Sequence, residues 1–138
     1  MNTRKTFTFV LMDPPFESSR LGTAMRMLSA AAQQGHNIHV FAYEGAVFVP
    51  SNLQKAHPNA MHKRDEMEEA HPLSKDWVKA LQKETEKNGA VFDWVNCGMC
   101  ASERGVSDCV AGIRTGSPVD LARFTEVSDN IIVIPTRG

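Results

Sequence analysis

Residues 5–43 read KTFTFVLMDPPFESSRLGTAMRMLSAAAQQGHNIHVFAY, and the order of patterns in this stretch decides the fold. KTFTFVLM is rich in aromatic and β-branched residues and stops at Asp13-Pro14-Pro15, which predicts a buried strand running into a loop. Ser18 and Ser19 are competent helix caps. Behind them Leu21, Ala24, Met25, Leu28 and Ala31 recur at helical spacing until Gly35 stops the pattern. HNIHVFAY then predicts a second strand. Strand, helix and strand in succession imply a right-handed crossover between parallel neighbours.

Periodicity fades beyond residue 48, and residues 49–73 read as an irregular insertion carrying His57, His62 and His71, within which KRDEMEEA could form a short helix. Pro72 and Ser74 introduce a helix, SKDWVKALQKETEKNG, with a narrow apolar stripe of Trp77, Val78, Leu81 and Thr85 and a stop at Asn88-Gly89. Residues 90–95 predict a third strand, followed at once by Asn96 and Cys97. Ser117-Pro118 opens a last helix with Val119, Leu121, Ala122 and Phe124 as its inner face. Residues 130–135 close the pattern as a strand whose unbroken apolar run predicts burial on both faces. The alternation describes one α/β domain over residues 1–138 with a mainly parallel sheet.

A chain of 138 residues has the length of one self-sufficient domain. Its formal net charge is −1 and its basic residues are scattered, which argues against nucleic acid or an anionic membrane as partner. The apolar run from Phe7 to Met12 is too short for a signal-peptide core. No stretch approaches the roughly eighteen apolar residues of a membrane-spanning helix. A cytoplasmic protein is expected.

All three cysteines lie within VFDWVNCGMCASERGVSDCV, residues 91–110. In a reducing compartment an odd number of closely spaced thiols points to reactivity or metal rather than to structural bridges. If the chain turns helical from Met99 onward, Cys97 lies at the carboxyl edge of the sheet and at a helix N-terminus. Backbone N–H groups there favour a thiolate, so an exposed Cys97 thiol titrating below the free-cysteine range is expected. Gly98 leaves the backbone open to a partner, and Cys100, one helical turn on, can present its sulfur to the same side. Arg104 and Arg114 are candidate sources of positive potential. Asp13 and Glu44, beyond the first and second strands, could orient a partner or take a proton. Met12, Met25 and Met27 read as core packing. Four readings remain open: a zinc site using Cys97, Cys100 and Cys109 with one of the three histidines, a dithiol couple, a thiol that carries sulfur, or thiols packed as small hydrophobes.

Cys-Gly-x-Cys-Ala-x-x-Arg-Gly, residues 97–105, after a third strand and before the helical VDLARF, resembles the DsrE family of small sulfur-relay proteins. Gly45 in YEGA resembles a turn common in that family. The resemblance implies a flavodoxin-like fold with helices on both faces of the sheet, assembly into a homotrimer or homohexamer, and a persulfide carried on a cysteine without metal or cofactor. Counting back from Arg104-Gly105 places the acceptor at Cys97. Asn96, Gly98, Met99, Arg104, Cys109, Asp13 and Glu44 are its candidate surroundings. Cys100 and Cys109 depart from the family pattern, and Cys100 is read as an assisting or resolving thiol. The partners implied are a persulfide donor and a thiol acceptor, each a protein or a small sulfane-sulfur compound. The apolar stripe of the Trp77 helix offers a surface that another copy could cover. A Cys-x-x-Cys oxidoreductase and a non-catalytic zinc-binding or interaction module are the alternatives.

Overall fold

Three strands, β1 (Thr6–Leu11), β2 (Asn37–Ala42) and β3 (Phe92–Cys97), form the interior of a five-stranded sheet. They belong to a computed structural model that describes residues 3–136 apart from 57, 59, 60, 62 and 68–72. β4 (Arg114–Gly116) and β5 (Asn130–Ile134) are its edges, in the order β4-β3-β2-β1-β5. Every neighbouring pair is parallel. The interior strands are buried on both faces at their carboxyl halves: Thr8, Phe9, Val10 and Leu11 in β1, Val40, Phe41 and Ala42 in β2, and Trp94 to Cys97 in β3. That is why they read as near-continuous apolar runs.

Alternation along the strands divides the core in two. On one face Phe9, Leu11, Ile38, Val40 and Trp94 pack under α1 (Ser19–Gln33) and α2 (Ser74–Lys87). On the other, Val10, Phe41, Val95 and Cys97 pack under α3 (Gly98–Arg104) and α4 (Pro118–Val127), with Phe124 as the buried anchor of α4. This is an α/β fold with helices on both faces, as expected. Ser18 caps α1 through a 3.3 Å bond from the Arg20 amide, and Gly35 takes a left-handed φ of 81° just past its end. α4 starts with a capping box between Ser117 and Asp120 and a proline in its first turn.

Several expectations need correction. β5 is an edge strand paired only with β1, so Ile131 and Val133 are exposed rather than buried. α4 buries Phe124 alone, leaving Val119 and Ala122 exposed and Leu121 partly covered. Met27 is exposed, and Ala32 rather than Ala31 completes the buried stripe of α1. The Trp77 stripe of α2 is used within the fold: Trp77 packs against the first core and its Nε1 donates to Ser29 Oγ of α1 at 3.0 Å. Trp77 is thus engaged within its own fold, while remaining only partly buried. β4 carries no sequence signature and was not expected. Within KRDEMEEA, residues 63–67 form turns around a bridge residue at Arg64 rather than a helix, and residues 68–70 lie outside the described residues. His57, His62 and His71, with Pro72, lie outside the described residues.

Candidate thiol site

β3 runs two residues further than its apolar pattern, so that Cys97 is at once the last residue of the strand and the cap residue of α3. The chain reverses there at the carboxyl edge of the sheet, where parallel α/β folds gather their chemistry. Asn96 and Cys97, being successive strand residues, project to opposite faces. Cys97 enters the second core cluster together with Cys100 and Ala101.

The turn at Cys97 is tight because β4 lies against it. Cys97 pairs with Gly116, and a Cβ on Gly98 would stand 3.0 Å from Thr115 Cγ2 and 3.3 Å from the Gly116 carbonyl oxygen. Gly98 thus admits a neighbouring strand of its own chain, where an incoming partner was expected. Gly116 is required in turn, since a Cβ there would come within 2.6 Å of Val95 Cγ1.

All three cysteines are free thiols. Cys97 is 4% and Cys100 7% exposed, so the expectation of an openly exposed Cys97 is corrected: both residues are buried in the wall of a cleft of about 410 Å³. Tyr43, Glu44, Met99, Arg104 and Ser117 are among its walls, with Met99 on the open rim at 74% exposure. Burial pushes the Cys100 thiol up, and its S–H bond toward Cys97 and the neighbouring Cys97 charge push in the same direction. The Glu44 backbone N–H and the Arg104 guanidinium pull the other way and do not cancel the rise. Cys100 therefore holds its proton more tightly than a free thiol does.

Glu44 reaches the cleft through an unusual backbone. It adopts a left-handed φ of 51° and starts a short 3-10 turn, Glu44–Phe48. Gly45 is needed because a Cβ there would lie 2.8 Å from Pro14 Cδ, which fixes the β2 turn against the β1 loop. Arg104, last residue of α3, lines the cleft and donates to the Cys100 carbonyl at 3.3 Å.

The other candidates lie elsewhere. Asp13 is buried and accepts a 2.6 Å bond from Ser18 Oγ, which commits it to the start of α1. Asn96 sits on the opposite face, where its Oδ1 accepts from Trp94 Nε1 at 3.0 Å and its Nδ2 donates to the Val47 carbonyl at 3.1 Å and to Cys109 Sγ at 3.7 Å. Cys109 is held there by an antiparallel bridge to Ser51 and a 2.7 Å bond from Asn52 Nδ2 to its carbonyl. Burial, then Asp108, pushes its thiol up. Arg114 is engaged by Asp93 and Asp120, so it adds no free positive charge to the cleft. Among the described residues no group of three His, Cys, Asp or Glu side chains is placed to hold a metal ion.

Tyr43, Glu103, Gly116, Ser117 and Pro118 complete the cleft and were missed from sequence. The signal for the last three was present: Gly-Ser-Pro marks a helix start beyond a strand, and hence the same sheet edge.

A profile of the DsrE/DsrF-like family matches residues 5–134. The chain belongs to the DsrE/DsrF-like family. Among its relatives, this DsrE/DsrF-like protein is 26% identical over 127 residues to the uncharacterized protein MK0008 of Methanopyrus kandleri, covering 91% of this chain and 90% of that one. It is 25% identical over 130 residues to the uncharacterized protein MJ0989 of Methanocaldococcus jannaschii, covering 91% and 96%. Its fold is shared with the crystal structure of the ychN protein from E. coli, at a TM-score of 0.69 and 18% identity over 95% of this chain and 99% of that one. The DsrE/DsrF-like architecture is thus established across nearly the whole chain, while the chemistry is argued from the cleft.

Proposed function

We propose that this DsrE/DsrF-like protein is a sulfur carrier that accepts sulfane sulfur at Cys97 and yields it to a second thiol. The observation that supports this most directly is the placing of Cys97 at the β3–α3 junction, buried but lining a cleft at the carboxyl edge of the sheet. The Cys97 sulfur attacks the outer sulfur of a donor persulfide, the donor's inner sulfur leaves as its thiolate, and Cys97 holds the product as Cys–S–SH. Transfer onward repeats the exchange, with the acceptor thiolate attacking the outer sulfur and Cys97 leaving. The cleft restricts donors to small sulfane compounds or to a narrow protein segment bearing a thiol. No cofactor takes part.

The reading includes a cytoplasmic location, where thiols stay reduced, and assembly into a homotrimer or homohexamer. Exposed apolar side chains on α4 and β5, namely Val119, Val127, Ile131 and Val133, supply surface for that assembly. Among the described residues no helix is long and apolar enough to cross a membrane.

Intact mass after exposure to glutathione persulfide tests the carrier. A gain of about 32 Da mapped to Cys97 supports it. Failure of Cys97 to gain sulfur in a Cys100→Ser variant, where no neighbouring thiol can discharge it, while free glutathione persulfide persists in solution would refute it.

A further inference from the structure

We propose that Cys97 and Cys100 form a self-discharging pair: the Cys100 sulfur attacks the Cys97 sulfur of a loaded persulfide, expelling hydrosulfide and leaving a Cys97–Cys100 disulfide. The proposal rests on the carrier reading of Cys97 and adds a second activity to the same cleft, reductive release of sulfane sulfur.

The step balances without any outside reagent. The bond between Cys97 sulfur and the outer sulfur breaks, and the bond between the two cysteine sulfurs forms. The outer sulfur leaves with the electron pair and receives the proton that Cys100 gives up, while the Cys100 sulfur is oxidised to the disulfide level. A dithiol reductant then restores both thiols and completes a turnover.

Geometry selects Cys100 for this role. The two residues line the same cleft and pack in the same core cluster, within one helical turn of each other. Side chains at that spacing on a helix stand about 5–6 Å apart at Cβ, somewhat beyond the roughly 3.5–4.5 Å that a disulfide needs. Cys97 can close this gap because it is the cap residue, with a ψ of 118° outside the helical range and no side-chain cap bond to break. Cys109 has no such access, being bonded to Asn96 on the other face of the sheet.

The raised affinity of Cys100 for its proton sets the order of events. A thiol that holds its proton competes poorly for the incoming donor, while the fraction of it that ionises is the more basic and so the more nucleophilic thiolate; the departing sulfur takes up the proton released.

The test uses the full chain, as wild type, Cys100→Ser, Cys100→Ala and Cys97→Ser. Each is loaded with glutathione persulfide, desalted and held without reductant while hydrosulfide is followed and each cysteine peptide is weighed. Wild type is expected to release hydrosulfide in step with a Cys97–Cys100 disulfide, about 2 Da below the dithiol mass. Both Cys100 variants are expected to keep about 32 Da on Cys97 and to release none. Release from the Cys100 variants at the wild-type rate, or a stable persulfide in wild type with Cys100 still alkylatable, overturns the proposal and leaves the carrier reading standing. Absence of loading at Cys97 in both Cys100 variants, each with a wild-type circular dichroism spectrum, overturns the carrier reading and this proposal together.

Discussion

Asp93 and Arg114 are joined by two parallel hydrogen bonds, each 2.9 Å, and they tie the three-residue strand β4 to β3. Beyond β4 the chain continues directly into the Ser117 wall of the thiol cleft. Arg114→Ala is expected to cost little stability, at most about 1 kcal/mol, because the pair is partly solvated. The same variant should nevertheless speed alkylation of Cys97 by a bulky maleimide, since the wall that shields it has lost its anchor. An unchanged alkylation rate would show that the strand pairing alone holds the wall.

Replacing Gly116 or Gly45 by alanine should be far more damaging than the loss of that ion pair. The new Cβ would press on the Asp120 carboxylate and stand 2.6 Å from Val95 Cγ1 in the first case, and 2.8 Å from Pro14 Cδ in the second, and neither the buried Val95 nor the proline ring is free to swing aside. Overpacking of this kind costs roughly 1–3 kcal/mol, read as a lower urea midpoint at constant slope.

Acid sensitivity is expected from His39. Its ring stacks on Phe124 with centroids 4.4 Å apart, and its Nδ1 is buried without a hydrogen bond. Burial holds its pKa below the ordinary histidine value, opposed by Asp93 and assisted by Arg114. The unfolded chain takes up this proton first as pH falls, so the His39 contribution is full above about pH 6.5 and is lost below it. His39→Phe should flatten the fall in urea midpoint between about pH 7 and pH 5. A variant with the wild-type slope would assign that fall to other groups.

On the alkaline side the buried thiols reverse the sign. Cys100 and Cys109 both hold their protons more tightly folded than unfolded. Their contribution is therefore complete below the ordinary thiol value of about 8.5 and declines as pH rises beyond it. A Cys100→Ser, Cys109→Ser double variant should show a shallower loss of stability above that pH than wild type, measured by the same denaturant series.

Cys109→Ser is expected to leave persulfide loading at Cys97 unchanged, whereas Cys97→Ser should abolish it. Peptide mass after limiting exposure to glutathione persulfide reads both. Loss of loading in the Cys109 variant would mean that the third thiol reaches the cleft after all.

What the sequence made legible follows from what is local. β1, α1, β2 and the start of α4 carry their periodicity and caps in contiguous residues, and Cys97 could be placed at a strand end because Gly98 and a helix-compatible run come next. β4 could not be seen, since Arg-Thr-Gly has no alternation and exists as a strand only through pairing with Val95, Asn96 and Cys97. The edge position of β5 was hidden for a related reason: an apolar run records that a strand has apolar neighbours, not how many. Tyr43 and Ser117 became neighbours of Cys97 through contacts across the sheet edge. The side of the sheet taken by Cys109 was set by its bridge to Ser51, more than fifty residues away along the chain.

That last placement has a chemical result. Thirteen consecutive residues hold three thiols, and left in one open loop they would exchange sulfur among themselves until any loaded species was a mixture. The β-sheet acts as an insulating partition: Cys97 and Cys100 share one compartment, while Cys109 is moored to Asn96 in the other. Because Asn96 and Cys97 are adjacent on one strand, a register slip of a single residue would exchange them, bringing the amide into the cleft and the thiol to the Cys109 side. The pairing of β3 with β2 and β4 is thus also the device that keeps Cys97 and Cys100 on one side of the sheet and Cys109 on the other.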